Sequence, residues 1–211
     1  IRIKTTSTVN NQSLKITELG FFGENIAPVE LDKSDFSIVN MPSDNPGTAY
    51  GANPSLYLFD NNSFYSGDEF GYHSGENAVP GHFTIDLGAS TYLQKLNFEF
   101  RPTWSFNGNT PTQIEIWSRS NLENAETGSN FEILDNEVVS EPTSSEELIA
   151  SNWILINSSN IDGQSVSNVE LEINSEIKSR FIKIRYVNTV GENACQIIEI
   201  GALGFGSFIE N

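Results

Sequence analysis

Apolar and polar residues alternate with a period of two along most of this chain. The pattern is plain in Ile1-Arg2-Ile3-Lys4, His82-Phe83-Thr84-Ile85-Asp86-Leu87, Leu96-Asn97-Phe98-Glu99-Phe100 and Ile114-Glu115-Ile116-Trp117. Val169-Glu170-Leu171-Glu172-Ile173 and Phe181-Ile182-Lys183-Ile184-Arg185-Tyr186-Val187 repeat it. Successive side chains of a strand point to opposite faces, so each segment predicts a strand with one face on a core and the other in water. Phe83, Phe98, Phe100, Trp117, Trp153 and Phe181 are the expected core aromatics. Clusters of Gly, Pro, Asn, Asp and Ser separate the segments and supply turns. Helical periodicity is best in Ser144-Ser145-Glu146-Glu147-Leu148-Ile149-Ala150, two turns at most. Many short strands with few helices predict an all-β sandwich or jelly roll.

Residues 121–150 break the rhythm with eight acidic residues and no Lys or Arg. They read as a solvated insertion between strands, with an acidic ligand-binding loop as the sharper alternative. A repeat is also present. Residues 1–23 align without a gap on residues 182–204 with eight identities, among them Ile3/Ile184, Glu18/Glu199, Gly20/Gly201 and Gly23/Gly204. The offset of 181 residues is a whole domain length. Residues 1–26 therefore read as a β-hairpin repeat, either like the closing hairpin of an upstream copy or a duplicated hairpin recruited to this domain, and residues 27–211 as one domain. This implies a larger multidomain chain.

Composition narrows the partners. With 28 acidic and 11 basic residues in 211, the formal charge is −17. Phosphate binding needs basic surface, and so does docking on anionic lipid, so neither nucleic acid nor anionic membrane is an expected partner. An apolar content of 37% is enough to offset the entropy of ordering the chain. The single cysteine, Cys195, permits no intrachain disulfide and reads as a small buried hydrophobe. No apolar run reaches the roughly 18 residues of a membrane span. No secretory-leader pattern is found within these 211 residues, which leaves the compartment open.

From Asp32 onward, six pieces in order resemble the F5/8 type C, or discoidin-like, family, whose carbohydrate-binding members form carbohydrate-binding module family 32. They are Asp32-Lys33-Ser34-Asp35-Phe36, Leu58-Phe59-Asp60-Asn61-Asn62, Tyr72-His73-Ser74 and His82-Phe83-Thr84-Ile85-Asp86-Leu87-Gly88. The fifth is Arg101 with Asn107-Gly108 and Ile114-Glu115-Ile116-Trp117-Ser118; the last is Ser179-Arg180-Phe181-Ile182-Lys183-Ile184 with Ile198-Glu199-Ile200. The resemblance implies a discoidin-like (galactose-binding-like) jelly-roll β-sandwich with loops clustered at one end, and it is closest to modules of bacterial glycan-foraging proteins.

The resemblance also implies a site. In sugar-binding members a His, an Arg and an Asn read the sugar hydroxyls, and the matching residues are His73, Arg101 and Asn107. Sugar sites join an aromatic platform to planar polar donors, a role that suits the guanidinium fork. Members often carry an aromatic three residues after the His, where this chain has Glu76, so the platform must come from elsewhere. Trp104 and Phe106 in the turn-rich loop, and Tyr72 beside His73, are the candidates. The plainer alternatives are local packing for the aromatics, a backbone hydrogen bond for His73 and an ion-pair anchor for Arg101. The family also implies a structural calcium, with Asp60, Asn62 and Glu199 at the matching positions. The alternative is an Asx turn at Asp60-Asn61-Asn62, with Glu199 paired to a nearby cation.

No nucleophile, base and orienter match appears, so an enzyme is not expected. The leading expectation is a non-catalytic module that tethers a secreted, periplasmic or cell-surface protein to glycan, neutral rather than anionic given the charge. A protein–protein adhesion or spacer module is the alternative, and a fragment of a carbohydrate-active enzyme a third reading.

Overall fold

The computed structural model describes residues 27–62, 71–101, 108–125, 131–162, 166–173 and 175–205. The hairpin repeat expected in residues 1–26 lies outside the described residues. In chain order the strands are β1 (Val29–Glu30), β2 (Ser37–Val39), β3 (Tyr72–His73), β4 (Gly81–Glu99), β5 (Pro111–Arg119), β6 (Ile133–Leu134) and β7 (Glu137–Val138). They continue with β8 (Ile154–Asn160), β9 (Asn168–Glu172), β10 (Lys178–Thr189), β11 (Gln196–Ile197) and β12 (Glu199–Phe205). Two short helices, α1 (Pro54–Tyr57) and α2 (Ser145–Ala150), join them.

Every strand-to-strand ladder is antiparallel, and the fold is the expected discoidin-like jelly-roll sandwich. The two alternating segments around residues 82–87 and 96–100 are one 19-residue strand, β4, that serves both layers. Its first half pairs with β2 and β10, and its second half with β12 and β9. Gly88 sits between the halves at φ 78°, a left-handed conformation, and a Cβ there would lie 2.7 Å from Asp35 Cβ. The glycine thus permits both the turn of the backbone and the close approach of the Asp35 segment.

Alternation then fills the interior. Phe83, Ile85, Leu96 and Phe98 of β4, Ile114 and Ile116 of β5, Ile182, Ile184 and Tyr186 of β10, and Ile200 of β12 form one buried cluster. Each such side chain contributes on the order of 1.5–3 kcal/mol by leaving water.

The opposite face of β4, β5 and β10 is not open to water as the alternation alone predicts. A second apolar cluster lies over it, in which Ala125, Leu148 and Trp153 meet Met41 and Trp117 of β5. Trp117 and Trp153 are buried as expected, but in this outer cluster, and Phe181 packs at its margin. The insertion is therefore a cover rather than a wholly solvated loop. Its described acidic residues, Glu123, Glu132, Asp135, Glu137, Glu141, Glu146 and Glu147, all stay on the exposed side. α2 is fixed by a capping box: Glu147 N–H donates to Ser144 Oγ at 3.2 Å, and Ser144 N–H to Glu147 Oε2 at 2.8 Å.

A polar layer is sealed between sheet and cover. The Lys183 ammonium, fully buried, pairs with Asp44 and lies 5.1 Å from the centre of a Trp153 ring. His82 Nδ1 is 2.9 Å from the same Asp44 oxygen. Beside them Arg185 Nη1 donates to Glu115 Oε2 at 3.1 Å, as does the Trp117 indole N–H at 3.1 Å.

Candidate functional site

Four loop segments meet at one end of the sandwich. β3 pairs with β11, matching His73 to Gln196, and His73 N–H donates to Gly47 O at 2.9 Å. Gln196 N–H reaches Asn109 O at 2.9 Å, and Gly191 N–H reaches Gly108 O at 2.6 Å. Backbone bonds between segments distant in sequence thus hold the loop ends in fixed relation. The β6–β7 hairpin of the insertion completes the rim: Glu76 N–H donates to Asn136 O at 2.6 Å and Val138 N–H to Glu76 O at 3.0 Å.

His73 is at the centre, 6% exposed. Its Nδ1 accepts from Gly75 N–H at 3.1 Å, the backbone bond foreseen as the plainer alternative, and the Asn109 side-chain amide lies 2.9 Å from Nε2. Because Nδ1 accepts from a backbone N–H, the neutral ring carries its proton on Nε2, the nitrogen that faces the Asn109 side-chain amide. Burial, with the nearby Arg101 guanidinium, lowers the His73 pKa to about 4, so the ring is neutral at pH 7.

The aromatic ring beside His73 is Tyr50, which the sequence reading passed over. Its ring centroid is 4.8 Å from that of His73 at an interplanar angle of 55°. Tyr50 is 49% exposed. Its hydroxyl donates to Glu76 Oε1 at 2.5 Å, and its backbone N–H to Asn136 Oδ1 at 2.8 Å. The Tyr50 backbone is left-handed, φ 57°, between Gly47 and Gly51, which are also left-handed. The available signal was an aromatic set in the Pro46-Gly47-Thr48-Ala49-Tyr50-Gly51 turn.

Of the expected residues, the fold brings His73 and Arg101 together, and Arg101 is half-buried at the end of β4. Trp104, Phe106 and Asn107 lie outside the described residues. Asn109, two positions beyond Asn107, is the asparagine that meets His73. Tyr72 is corrected: it is 1% exposed, its ring stacks on Phe83 at 4.2 Å and its hydroxyl lies 2.9 Å from that of Tyr186. β3 alternates, so with His73 on the loop side its neighbour must face the core, and Tyr72 offers no ring to a ligand.

Asp60, Asn62 and Glu199 do converge. Asn62 N–H donates to Asp60 Oδ1 at 2.9 Å in an Asx turn, and Asn61 N–H donates to Glu199 Oε1 at 3.1 Å. That same Glu199 oxygen accepts from the Lys33 ammonium. Calcium takes six to eight oxygens. Here one carboxylate oxygen of the set holds a Lys and an amide, another holds an amide, and no group of three or more His, Cys, Asp or Glu poised for a metal occurs among the described residues. Glu199 Oε1 is thus taken up by Lys33 and the Asn61 amide, while Glu199 Oε2 is buried with no hydrogen-bond partner among the described residues. Burial raises the Glu199 pKa to about 7 against the opposing pull of Lys33. Cys195 is buried, as expected, and its thiol pKa is pushed well up by burial.

No family model and no curated protein matches the chain in sequence. Solved structures do match in fold. The chain has the discoidin-like β-sandwich fold of family 32 carbohydrate-binding modules. A SusE-like protein superposes with a TM-score of 0.61 at 17% identity, covering 84% of this chain and 100% of the other. The family 32 module of Clostridium perfringens NanJ, solved with galactose, gives 0.54 at 15% identity over 84% and 99%. The C-terminal domain of a chitobiase from Bacteroides fragilis gives 0.55 at 18% identity over 85% and 100%. Among the described residues, no helix is long and apolar enough to cross a membrane.

Proposed function

We propose that this chain is a non-catalytic carbohydrate-binding module that holds a neutral sugar on Tyr50, His73, Arg101 and Asn109, and tethers a secreted or surface protein to glycan. The observation that carries the reading is the half-exposed Tyr50 ring set 4.8 Å from a neutral His73 at the loop end of the sandwich. An aromatic face receives the apolar C–H face of a sugar ring, while the guanidinium and amide groups fix its hydroxyls. Neutral glycans are favoured because Glu76 stands on the rim and the whole chain carries −17. The galactose complex of a structural neighbour supports the ligand class.

Screening the protein on a glycan array and then titrating the best neutral ligand by calorimetry tests the proposal. Tyr50→Ala and Arg101→Ala should each weaken binding by about tenfold or more, the loss of one stacking contact or one charged hydrogen bond, with the circular dichroism unchanged. Absence of binding to every array glycan, or full affinity in both variants, would overturn it.

A further inference from the structure

The insertion does more than cover the sheet, because its β6–β7 hairpin reaches the loop end where Tyr50 and His73 meet. The hairpin turns on two residues, Asp135 and Asn136, with Ile133 opposite Val138 and Leu134 opposite Glu137. Both turn residues have positive φ, 51° and 69°. Two-residue hairpins favour such turns, and Asp and Asn accept the left-handed region more readily than most residues.

Asn136 makes two bonds outside its own hairpin. Its side-chain Oδ1 accepts from Tyr50 N–H at 2.8 Å, across 86 positions of sequence. Its backbone oxygen accepts from Glu76 N–H at 2.6 Å. Val138 N–H holds the same Glu76 by donating to its backbone oxygen at 3.0 Å. Glu76 Oε1 in turn accepts from the Tyr50 hydroxyl at 2.5 Å. These bonds close a circuit: Asn136 to the Tyr50 backbone, the Tyr50 hydroxyl to Glu76, and Glu76 back to Asn136. Tyr50 is thus fastened at both ends.

The fastening opposes two costs. Tyr50 has φ 57°, a conformation that a residue with a Cβ avoids, so outside contacts must hold its segment there. A ring 49% exposed would also sample other rotamers, and stilling it only when a ligand arrives would weaken affinity. The hairpin also sits close against the His73 segment. Gly75 has φ 84°, and a Cβ there would lie 3.0 Å from Asn136 O. We propose that Asn136 is a positioning residue of the binding site, through which the insertion presets the Tyr50 ring as the platform for a sugar. The platform role rests on the proposed glycan binding, whereas the hold of Asn136 on the ring does not.

Asn136→Gly keeps the left-handed turn and deletes the acceptor, whereas Asn136→Asp keeps both. Two readouts separate positioning from general stability. The first is the nuclear Overhauser effect between the ring protons of Tyr50 and His73, whose centroids lie 4.8 Å apart, measured without ligand. The second is the affinity for the best neutral glycan found on the array. In Asn136→Gly the ring-to-ring signal should be lost and affinity should fall about fivefold, the loss of one hydrogen bond, with the circular dichroism unchanged. Asn136→Asp should restore both. Because Asn136 acts through Tyr50, adding Asn136→Gly to Tyr50→Ala should weaken binding no further. A ring-to-ring signal that persists in Asn136→Gly would overturn the proposal, as would full affinity in that variant or a further loss in the double variant. If no array glycan binds the unaltered protein, the glycan reading fails, and the ring-to-ring signal alone decides whether Asn136 holds Tyr50.

Discussion

A buried carboxylate needs a positive neighbour, and at Glu199 that neighbour is the ammonium of Lys33. Removing one partner of a buried pair leaves the other uncompensated. Lys33→Met should therefore lower stability by a few kcal/mol at pH 8, and by less at pH 6, where Glu199 takes up a proton. Thermal melts with calcium and with chelator should coincide for the unaltered protein. A calcium-dependent rise in Tm would show instead that the ion displaces Lys33. The sequence already placed Glu199, Asp60 and Asn62 as a set and allowed that a cation would pair with Glu199. It did not identify Lys33, which is 166 residues away along the chain. Tyr50 was hidden for a similar reason: nothing in a turn-rich segment says that its ring will come to rest on a histidine 23 positions later.

Elements were more legible than residues. The alternating segments predicted the central strands, and the Ser-Ser-Glu-Glu run predicted α2. The same alternation did not show that the two segments are a single strand bent at Gly88, because the period lapses at Gly88-Ala89-Ser90, where the sequence reads as a turn. That bend makes a prediction. Gly88→Ala puts a side chain at φ 78° and a Cβ 2.7 Å from Asp35 Cβ. It should destabilise the protein by about 1–3 kcal/mol, read as a lower midpoint in urea. An unchanged midpoint would mean that β4 tolerates an ordinary residue where its two halves join. Lys183 and Arg185 mark another limit of the pattern. They occupy the polar positions of β10, yet they are buried, because the insertion packs over a face that alternation alone assigns to water.

For the molecule as a whole, burial of the two histidines sets the response to acid. His73 and His82 are each held near pKa 4, chiefly by burial, whereas an exposed imidazole titrates near 6.5. Between those values the unfolded chain binds up to two more protons than the folded one, so stability falls as the pH drops from about 6.5 to about 4. Glu199 works in the opposite sense. Its folded value of about 7 exceeds the 4.5 of an exposed carboxyl, so this one group loses stability as the pH rises across that range. Two protons against one leave a net loss on acidification. Urea midpoints should be lower at pH 4.5 than at pH 6.5, and Glu199→Gln should steepen the difference. Equal midpoints in the unaltered protein would contradict the buried, neutral histidines.

By itself the sequence determined the all-β class, the strands with their inward faces, and His73 and Arg101 as candidates for one site. The class and the strand faces follow from local periodicity, and the two site candidates from the resemblance to a known family. Only the tertiary structure decided that Tyr72 faces the core, that Tyr50 supplies the ring beside His73, and that Lys33 holds Glu199. It also turned the acidic insertion from an outlying loop into a cover over a buried polar layer. The physical reason is the same in each case: these contacts join segments far apart in sequence, and their geometry is set by sheet register and packing, which no local pattern records.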